Sequence, residues 1–202
     1  MIAIIDYGVG NLFSLKSSLK YLNVPGIVTA DEALINSSSK IILPGVGAFG
    51  DAIKRLESIG LIPAILNNVK QGKPLLGICL GMQLLFERGM EFGTHKGLGL
   101  LQGEVVPLDA NMGLKIPHMG WNSLDIRQYH PLLKYVKQGD YVYFVHSYHA
   151  SKCSNSLVAT ANYGIDVSAV VANKNVMGTQ FHPEKSGSIG LKILKAFCEL
   201  GA

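Results

Sequence analysis

The 202-residue chain predicts an α/β protein in one domain over residues 1–202: a mostly parallel, doubly wound sheet with flanking helices, plus a smaller antiparallel sheet. Three observations carry this expectation. Hydrophobic residues make up 48% of the chain and charged residues only 16%, a balance suited to a sheet covered on both faces. In the first half, short apolar runs alternate with amphipathic segments, the rhythm of β-α-β units. In the second half, strand-like runs follow one another with only turn residues between most of them, which predicts an antiparallel flap. A chain of this length buries roughly 70% of its unfolded surface without staples.

Taken in order, Ile2–Asp6 reads as a short apolar strand. Gly8-Val-Gly10 turns the chain into a helix beginning near Asn11, a residue suited to an N-cap, with Leu12, Leu15, Leu19 and Leu22 on one apolar face. Gly26–Ala30 and Lys40–Leu43 are the next strands, followed by helices at about Ala48–Ser58 and Leu61–Gln71. Gly72-Lys-Pro74 breaks the chain before the apolar run Leu75–Phe86, which reads as a strand turning through Cys79 directly into a helix. Gly97–Leu108, Lys115–Ile126, Asp140–His149, Leu157–Tyr163, Val167–Ala172 and Val176–Phe181 are strand-like, and a helix over about Gly187–Leu200 closes the chain.

Several function classes are disfavoured. No apolar run reaches the roughly 18 residues of a membrane span. The start, Met1-Ile-Ala-Ile-Ile-Asp6, lacks the basic region of a signal peptide. Cys79, Cys153 and Cys198 have neither disulfide nor zinc spacing. A net charge of +4 without a Lys/Arg block gives little reason to expect nucleic acid. The expectation is a soluble cytoplasmic protein.

Chemistry concentrates at Cys79. Gly77 and Gly81 flank it in the pattern Gly-x-nucleophile-x-Gly, a cramped strand-to-helix turn in which a Cβ at either glycine would collide with a neighbour. Free N–H groups at the start of the helix favour thiolate over thiol and offer donors to an oxyanion. A buried cysteine in an apolar strand is also ordinary core filler, so the nucleophile reading needs a base. Gly178-Thr-Gln-Phe-His-Pro-Glu184 supplies one. A residue before proline is extended, and residues two apart in extended chain point the same way, so Glu184 can orient His182.

Three further patterns are weaker. Gly45-Val-Gly-Ala-Phe-Gly50 matches a dinucleotide fingerprint, but Ala64 to Pro74 contain no acid at the position expected to hold a ribose. The segment is better read as a glycine-rich strand end that offers N–H groups to an oxyanion. His146 and His149 lie near a strand end without a third metal ligand nearby, and no metal or cofactor is expected. Trp121, the sole tryptophan, suits either an interface anchor or the core. A cysteine hydrolase or peptidase and a non-catalytic binding subunit remain open on the residues alone.

Gly77-Ile-Cys-Leu-Gly-Met-Gln83, Pro44-Gly-Val-Gly47 and Phe181-His-Pro-Glu184 resemble the triad (class I) glutamine amidotransferases. Ile5-Asp-Tyr-Gly-Val-Gly-Asn-Leu12, Pro44–Phe49, Ile116-Pro-His-Met-Gly-Trp-Asn122 and Tyr143-Phe-Val-His-Ser-Tyr148 narrow the likeness to the family of glutaminase subunits of imidazole glycerol phosphate synthase, over essentially the whole chain. The resemblance implies a flavodoxin-like core and hydrolysis of L-glutamine to glutamate and ammonia by Cys79, His182 and Glu184. It implies oxyanion donors at Leu80, Val46 and Gly47, and a glutamine site formed by Gly47, Gln83, Ser147 and Tyr148. It further implies a (β/α)8-barrel cyclase subunit as partner in a one-to-one pair, docked through Pro117, His118, Met119, Trp121 and Asn122. That cyclase would use the ammonia to make imidazole glycerol phosphate and an aminoimidazole carboxamide ribotide in histidine biosynthesis.

Overall fold

Alternation along the strands divides the core in two. In the computed structural model, which describes residues 1–109 and 113–201, Ile2–Ile5 (β1) is buried throughout. Ile2 and Ile4 join one apolar cluster while Ala3 and Ile5 join the other, because successive side chains leave a strand on opposite faces. Lys40–Leu43 (β3) and Leu75–Ile78 (β4) repeat the division. Helix α1 (Leu12–Tyr21) covers one face through Leu15 and Leu19, together with α6 (Gly187–Cys198) through Ile193, Leu194 and Phe197. Helices α3 (Phe49–Ser58) and α4 (Leu61–Lys70) cover the other through Leu56, Leu61 and Ile65.

The main sheet has eight strands. From one edge it runs Gly26–Thr29 (β2), β1, β3, β4, Val176–Thr179 (β14), Asp166–Asn173 (β13), Leu157–Asn162 (β12) and Asp125–Ile126 (β9). The pairings from β2 through β14 are parallel, and the remaining ones are antiparallel. The second-half strands therefore divide, some extending the main sheet and the rest forming two smaller ones. One small sheet pairs His118–Ser123 (β8) with Tyr141–His146 (β10). The other has the order Tyr148–Ser151 (β11), Leu101–Pro107 (β7), Phe86–Gly89 (β5), His95–Lys96 (β6).

Four expectations shift. The helix after Cys79 is a single turn, Leu80–Gln83 (α5), after which Phe86–Gly89 becomes a strand beside β7. Leu84, Leu85 and Phe86 are fully buried, and the carbonyls of Leu84 and Leu85 accept bonds from Leu98, Leu100 and Leu101. A segment buried on every side has no periodicity to read, and tertiary pairing decides its conformation. The expected strand Asp140–His149 breaks at Ser147 into β10 and β11, which belong to different sheets. A six-residue helix, Glu32–Ser37 (α2), capped by the Asp31 carboxylate on the Ala33 and Leu34 amides, was too short to show a periodic face. Asn11 precedes α1 as expected, but its side chain makes no cap bond and donates instead to Glu184 Oε1 at 3.4 Å.

Candidate active site

Cys79 sits at the junction of β4 and α5 with φ 53° and ψ −111°, a backbone conformation that costs a non-glycine residue on the order of 1–3 kcal/mol. The surrounding glycines make the turn possible. A Cβ on Gly81 would stand 1.8 Å from the Leu43 carbonyl oxygen, and one on Gly77 would stand 2.6 Å from the Gly81 oxygen. A Cβ on Gly45 would meet the Tyr7 hydroxyl at 2.7 Å and the Gly81 nitrogen at 2.8 Å, so the glycine-rich end of β3 packs directly against the cysteine turn. The Tyr7 hydroxyl donates to the Pro44 carbonyl at 2.7 Å, and burial pushes its ionisation up, so it stays a donor.

His182 arrives from the strand beside β4. Val176–Thr179 pairs with Leu75–Ile78 in register, which brings the residues following each strand to the same end of the sheet. His182 is extended, as the proline after it requires, with φ −97° and ψ 101°. Pro183–Lys185 departs from the extended chain expected there and forms one 3-10 turn, yet Glu184 Oε1 still reaches His182 Nδ1 at 2.8 Å. Both side chains are buried, exposed by only 3% and 1%. The turn is clamped by the Tyr143 carbonyl accepting from the His182 amide at 3.0 Å, and by the Ser186 hydroxyl donating to the His182 carbonyl at 2.6 Å. Burial alone lowers the His182 pKa, but hydrogen bonds and charge from Cys79 and Glu184 outweigh it and raise the pKa to about 10. His182 is thus held between the Cys79 sulfur and the Glu184 carboxyl group.

A cleft of about 260 Å³ opens over this pair. Cys79, His182, Leu80, Val46, Gly47, Gln83, Ser147 and Tyr148 all line it, so the structure brings together the cysteine, the base, the oxyanion segment and the pocket residues named from the sequence. Glu184 stands behind His182 rather than in this cleft. His146, set aside as a metal ligand in favour of a structural or substrate-lining role, lines it too, whereas sequence reasoning missed Glu91 and Lys185 on its wall. Glu91 Oε2 accepts from the Phe49 amide at 2.7 Å, tying the first residue of α3 to the cleft wall. No local pattern marks that acid, because it becomes relevant only once β5 turns back toward α3. Among the described residues no group of three or more His, Cys, Asp or Glu is placed to hold a metal ion.

The expected docking motif splits by the same alternation that divides the core. Met119 and Trp121 point outward, 62% and 55% exposed, and Pro117 is also exposed. His118 is buried, which corrects its expected place on the outer face. It stacks between Phe144 and Tyr163 at centroid distances of 4.7 and 4.0 Å, and its Nδ1 meets His146 Nε2 at 3.0 Å. Burial depresses the pKa of His118 to about 4 and, aided by the charge of His118, that of His146 to about 3. Asn122 turns inward toward His118 Nε2 at 3.3 Å.

Comparison with known proteins gives a consistent answer. The family profile "Glutamine amidotransferase class-I" matches residues 3–199. The chain belongs to that family. It is 51% identical to the imidazole glycerol phosphate synthase subunit HisH of Caldanaerobacter subterraneus subsp. tengcongensis, over 99% of this chain and 98% of the relative. It is 48% identical to HisH of Bacillus subtilis over 100% and 97%, and 46% identical to HisH of Wolinella succinogenes over the full length of both. Within the class I amidotransferases the chain therefore falls among the HisH subunits. Two solved structures share the fold: a glutamine amidotransferase with a TM-score of 0.77 at 18% identity, covering 98% of both chains, and PurLQS from Thermotoga maritima with a TM-score of 0.73 at 21% identity, covering 98% of this chain and 96% of that one. Among the described residues no helix is long and apolar enough to cross a membrane.

Proposed function

We propose that the chain is the glutaminase subunit of an imidazole glycerol phosphate synthase, acting in the cytoplasm as one glutamine amidotransferase domain over residues 1–202. The observation that carries this reading is the buried His182–Glu184 pair, joined at 2.8 Å, opening onto the same cleft as a cysteine on a strained glycine-framed turn.

The Cys79 thiolate attacks the side-chain amide carbon of L-glutamine, and the carbonyl π pair moves onto oxygen. The Leu80 N–H, with N–H groups of the Val46–Gly47 segment, stabilises that oxyanion; one such donor is worth about 3 kcal/mol of barrier. The helix it precedes has one turn, so individual N–H groups rather than an accumulated macrodipole supply this stabilisation. As the intermediate collapses, the C–N bond breaks and His182 gives its proton to the departing nitrogen, releasing ammonia and leaving a thioester. His182 then takes a proton from water, hydroxide adds to the thioester carbon, and the sulfur leaves as thiolate with glutamate formed. Glu184 holds the tautomer and stabilises the imidazolium.

Substrate polarity fits the cleft. Glu91, the only acid among its lining residues, faces the substrate ammonium, while Gly47, Gln83, Ser147 and Tyr148 close around the remaining polar atoms. Ammonia passes to a cyclase subunit of (β/α)8-barrel type, docked on the exposed face that carries Pro117, Met119 and Trp121. No cofactor enters any step. The test is glutamate release with and without the cyclase and its nucleotide ligand, with Cys79→Ser and His182→Asn as controls. Silence of the complete mixture, or full activity of Cys79→Ser, overturns the reading.

A further inference from the structure

The Cys79 sulfur has a donor that the triad does not explain. Gln180 is fully buried two residues before His182, and its Nε2 stands 3.8 Å from Sγ, within hydrogen-bonding range for sulfur. Which end of an amide faces a neighbour is decided by the bonds around it, and here they leave no choice. The Tyr148 carbonyl only accepts, and it accepts from Gln83 Nε2 at 3.0 Å. The same nitrogen donates to Gln180 Oε1 at 3.0 Å, which turns the Gln180 NH2 group toward the sulfur. Beyond Tyr148 the bonds continue in one direction. His146 Nδ1 donates to the Tyr148 carbonyl at 2.9 Å, and His118 Nδ1 donates to His146 Nε2 at 3.0 Å. Asn122 Nδ2 donates to His118 Nε2 at 3.3 Å and also to the Asn162 carbonyl at 2.8 Å, which fixes the outer end.

We propose that Gln180 is a catalytic residue of the glutaminase reaction, donating its side-chain N–H to the Cys79 thiolate in the resting enzyme and again when the sulfur leaves the thioester. The proposal rests on the glutaminase reading above. A protonated sulfur would donate to the Val145 carbonyl, 3.8 Å away, whereas an ionised sulfur needs donors, and Gln180 supplies one in addition to His182. As the C–S bond forms, the sulfur lone pair is shared with carbon and the Gln180 bond weakens. As that bond breaks in deacylation, the electron pair returns to sulfur and Gln180 receives it.

A hydrogen bond to a charged group is worth about tenfold or more in rate. Two variants separate its ends: Gln180→Met removes both polar atoms at similar length, and Gln180→Glu keeps the acceptor for Gln83 but loses the donor. The full chain is treated with iodoacetamide at neutral pH, and alkylation of Cys79 is followed by peptide mass spectrometry. Both variants should react at least tenfold more slowly than the unaltered chain. In the cyclase complex they should show a kcat about tenfold lower with little change in KM, and glutamyl thioester should accumulate on Cys79. In the unaltered chain carrying 15N-glutamine, the Gln180 side-chain amide resonance should move as Cys79 ionises and lose that movement in Cys79→Ser, a readout that needs no variant at position 180 to fold. Alkylation within twofold of normal in both variants, or an unmoved Gln180 resonance, overturns the proposal. Absence of glutamate release from the unaltered complex would overturn the glutaminase reading instead, because the alkylation and resonance measurements need no turnover.

Discussion

Replacing Gly81 with alanine tests the geometry of the nucleophile turn through a single methyl group. The new Cβ would lie 1.8 Å from the Leu43 oxygen, 2.8 Å from the Leu43 carbonyl carbon and 3.1 Å from that of Pro44. These are backbone atoms, so no side chain can rotate away. Reaching even the 3.0 Å floor for such contacts requires 3.0 − 1.8 = 1.2 Å of separation between the α5 turn and the end of β3. Leu43 pairs with Gly77 in the centre of the sheet, so the strand cannot yield without losing that register. Overpacking typically costs 1–3 kcal/mol, and a backbone obstacle places this case at the top of that range. For a chain of this size, about 3 kcal/mol lowers the thermal midpoint by roughly 6–12 °C. Movement of Pro44–Gly47 by about 1 Å should cost glutaminase activity on the order of a hundredfold in the molecules that still fold. Gly72→Ala is the control: it has φ +90° but open space around its Cβ, so it should lose about 1–2 kcal/mol without altering turnover. Urea denaturation gives the stability term, and glutamate release per folded complex gives the rate. A Gly81→Ala protein within about 0.5 kcal/mol of normal stability and with half its activity or more would refute the steric argument.

His118 and His146 titrate lower in the folded chain than the ordinary value of about 6.5, so the unfolded chain binds more protons below that pH and stability present above it is lost on acidification. At about 1.4 kcal/mol per pH unit for each histidine, the two together remove roughly 3–4 kcal/mol between pH 7 and pH 5, and a flat urea-stability profile across that window would contradict their assignment as neutral. Glu91→Gln keeps an acceptor for the Phe49 amide but loses the charge facing the substrate ammonium, so the KM for glutamine should rise about 10- to 100-fold with a smaller change in kcat; an unchanged KM argues against that role. Trp121 is 55% exposed and rests edge-on against Tyr143, so Trp121→Ala should weaken cyclase binding by about 2 kcal/mol or more while lowering folding stability by less than about 1 kcal/mol. Equal losses in titrated binding and in thermal stability would place it in the core instead.

Most of the parallel half of the fold was legible because its longer helices show one buried face at the helical period and its central strands are short, largely apolar runs. Leu15 and Leu19 mark α1, and the apolar runs Ile2–Ile5, Ile41–Leu43 and Leu75–Ile78 mark strands buried on both faces. The stretch Leu84–Phe86 was opaque for the opposite reason, being buried all round and shaped by carbonyl partners more than ten residues later in the chain. Division of the second-half strands among three sheets was equally hidden, since period 2 reports burial and not the identity of the neighbour.

The site shows the same boundary between local and non-local information. Cys79 and His182 were readable as candidates because chain neighbours fix their backbone: glycines on either side of the cysteine, a proline after the histidine. Glu184 was readable through its spacing to His182, although the turn that delivers it differs from the one expected. Gln180, Glu91 and Asn11 contact the triad or the cleft wall through bonds to residues 42 to 173 positions away in sequence, which no local pattern reports. Asn11 shows how a correct residue can be read for a wrong reason. Its amide suits a helix cap, and the helix begins where expected, yet the side chain reaches across to Glu184, 173 residues away in sequence. Glu184 Oε2 is buried without a protein partner among the described residues, so Asn11 and His182 hold the carboxylate by Oε1 alone. A carboxylate desolvated on one oxygen and bonded on the other is a stronger electrostatic partner for an imidazolium than a fully solvated one. That arrangement offsets the cost of burying the His182 cation, and it depends on contacts that only the folded chain creates.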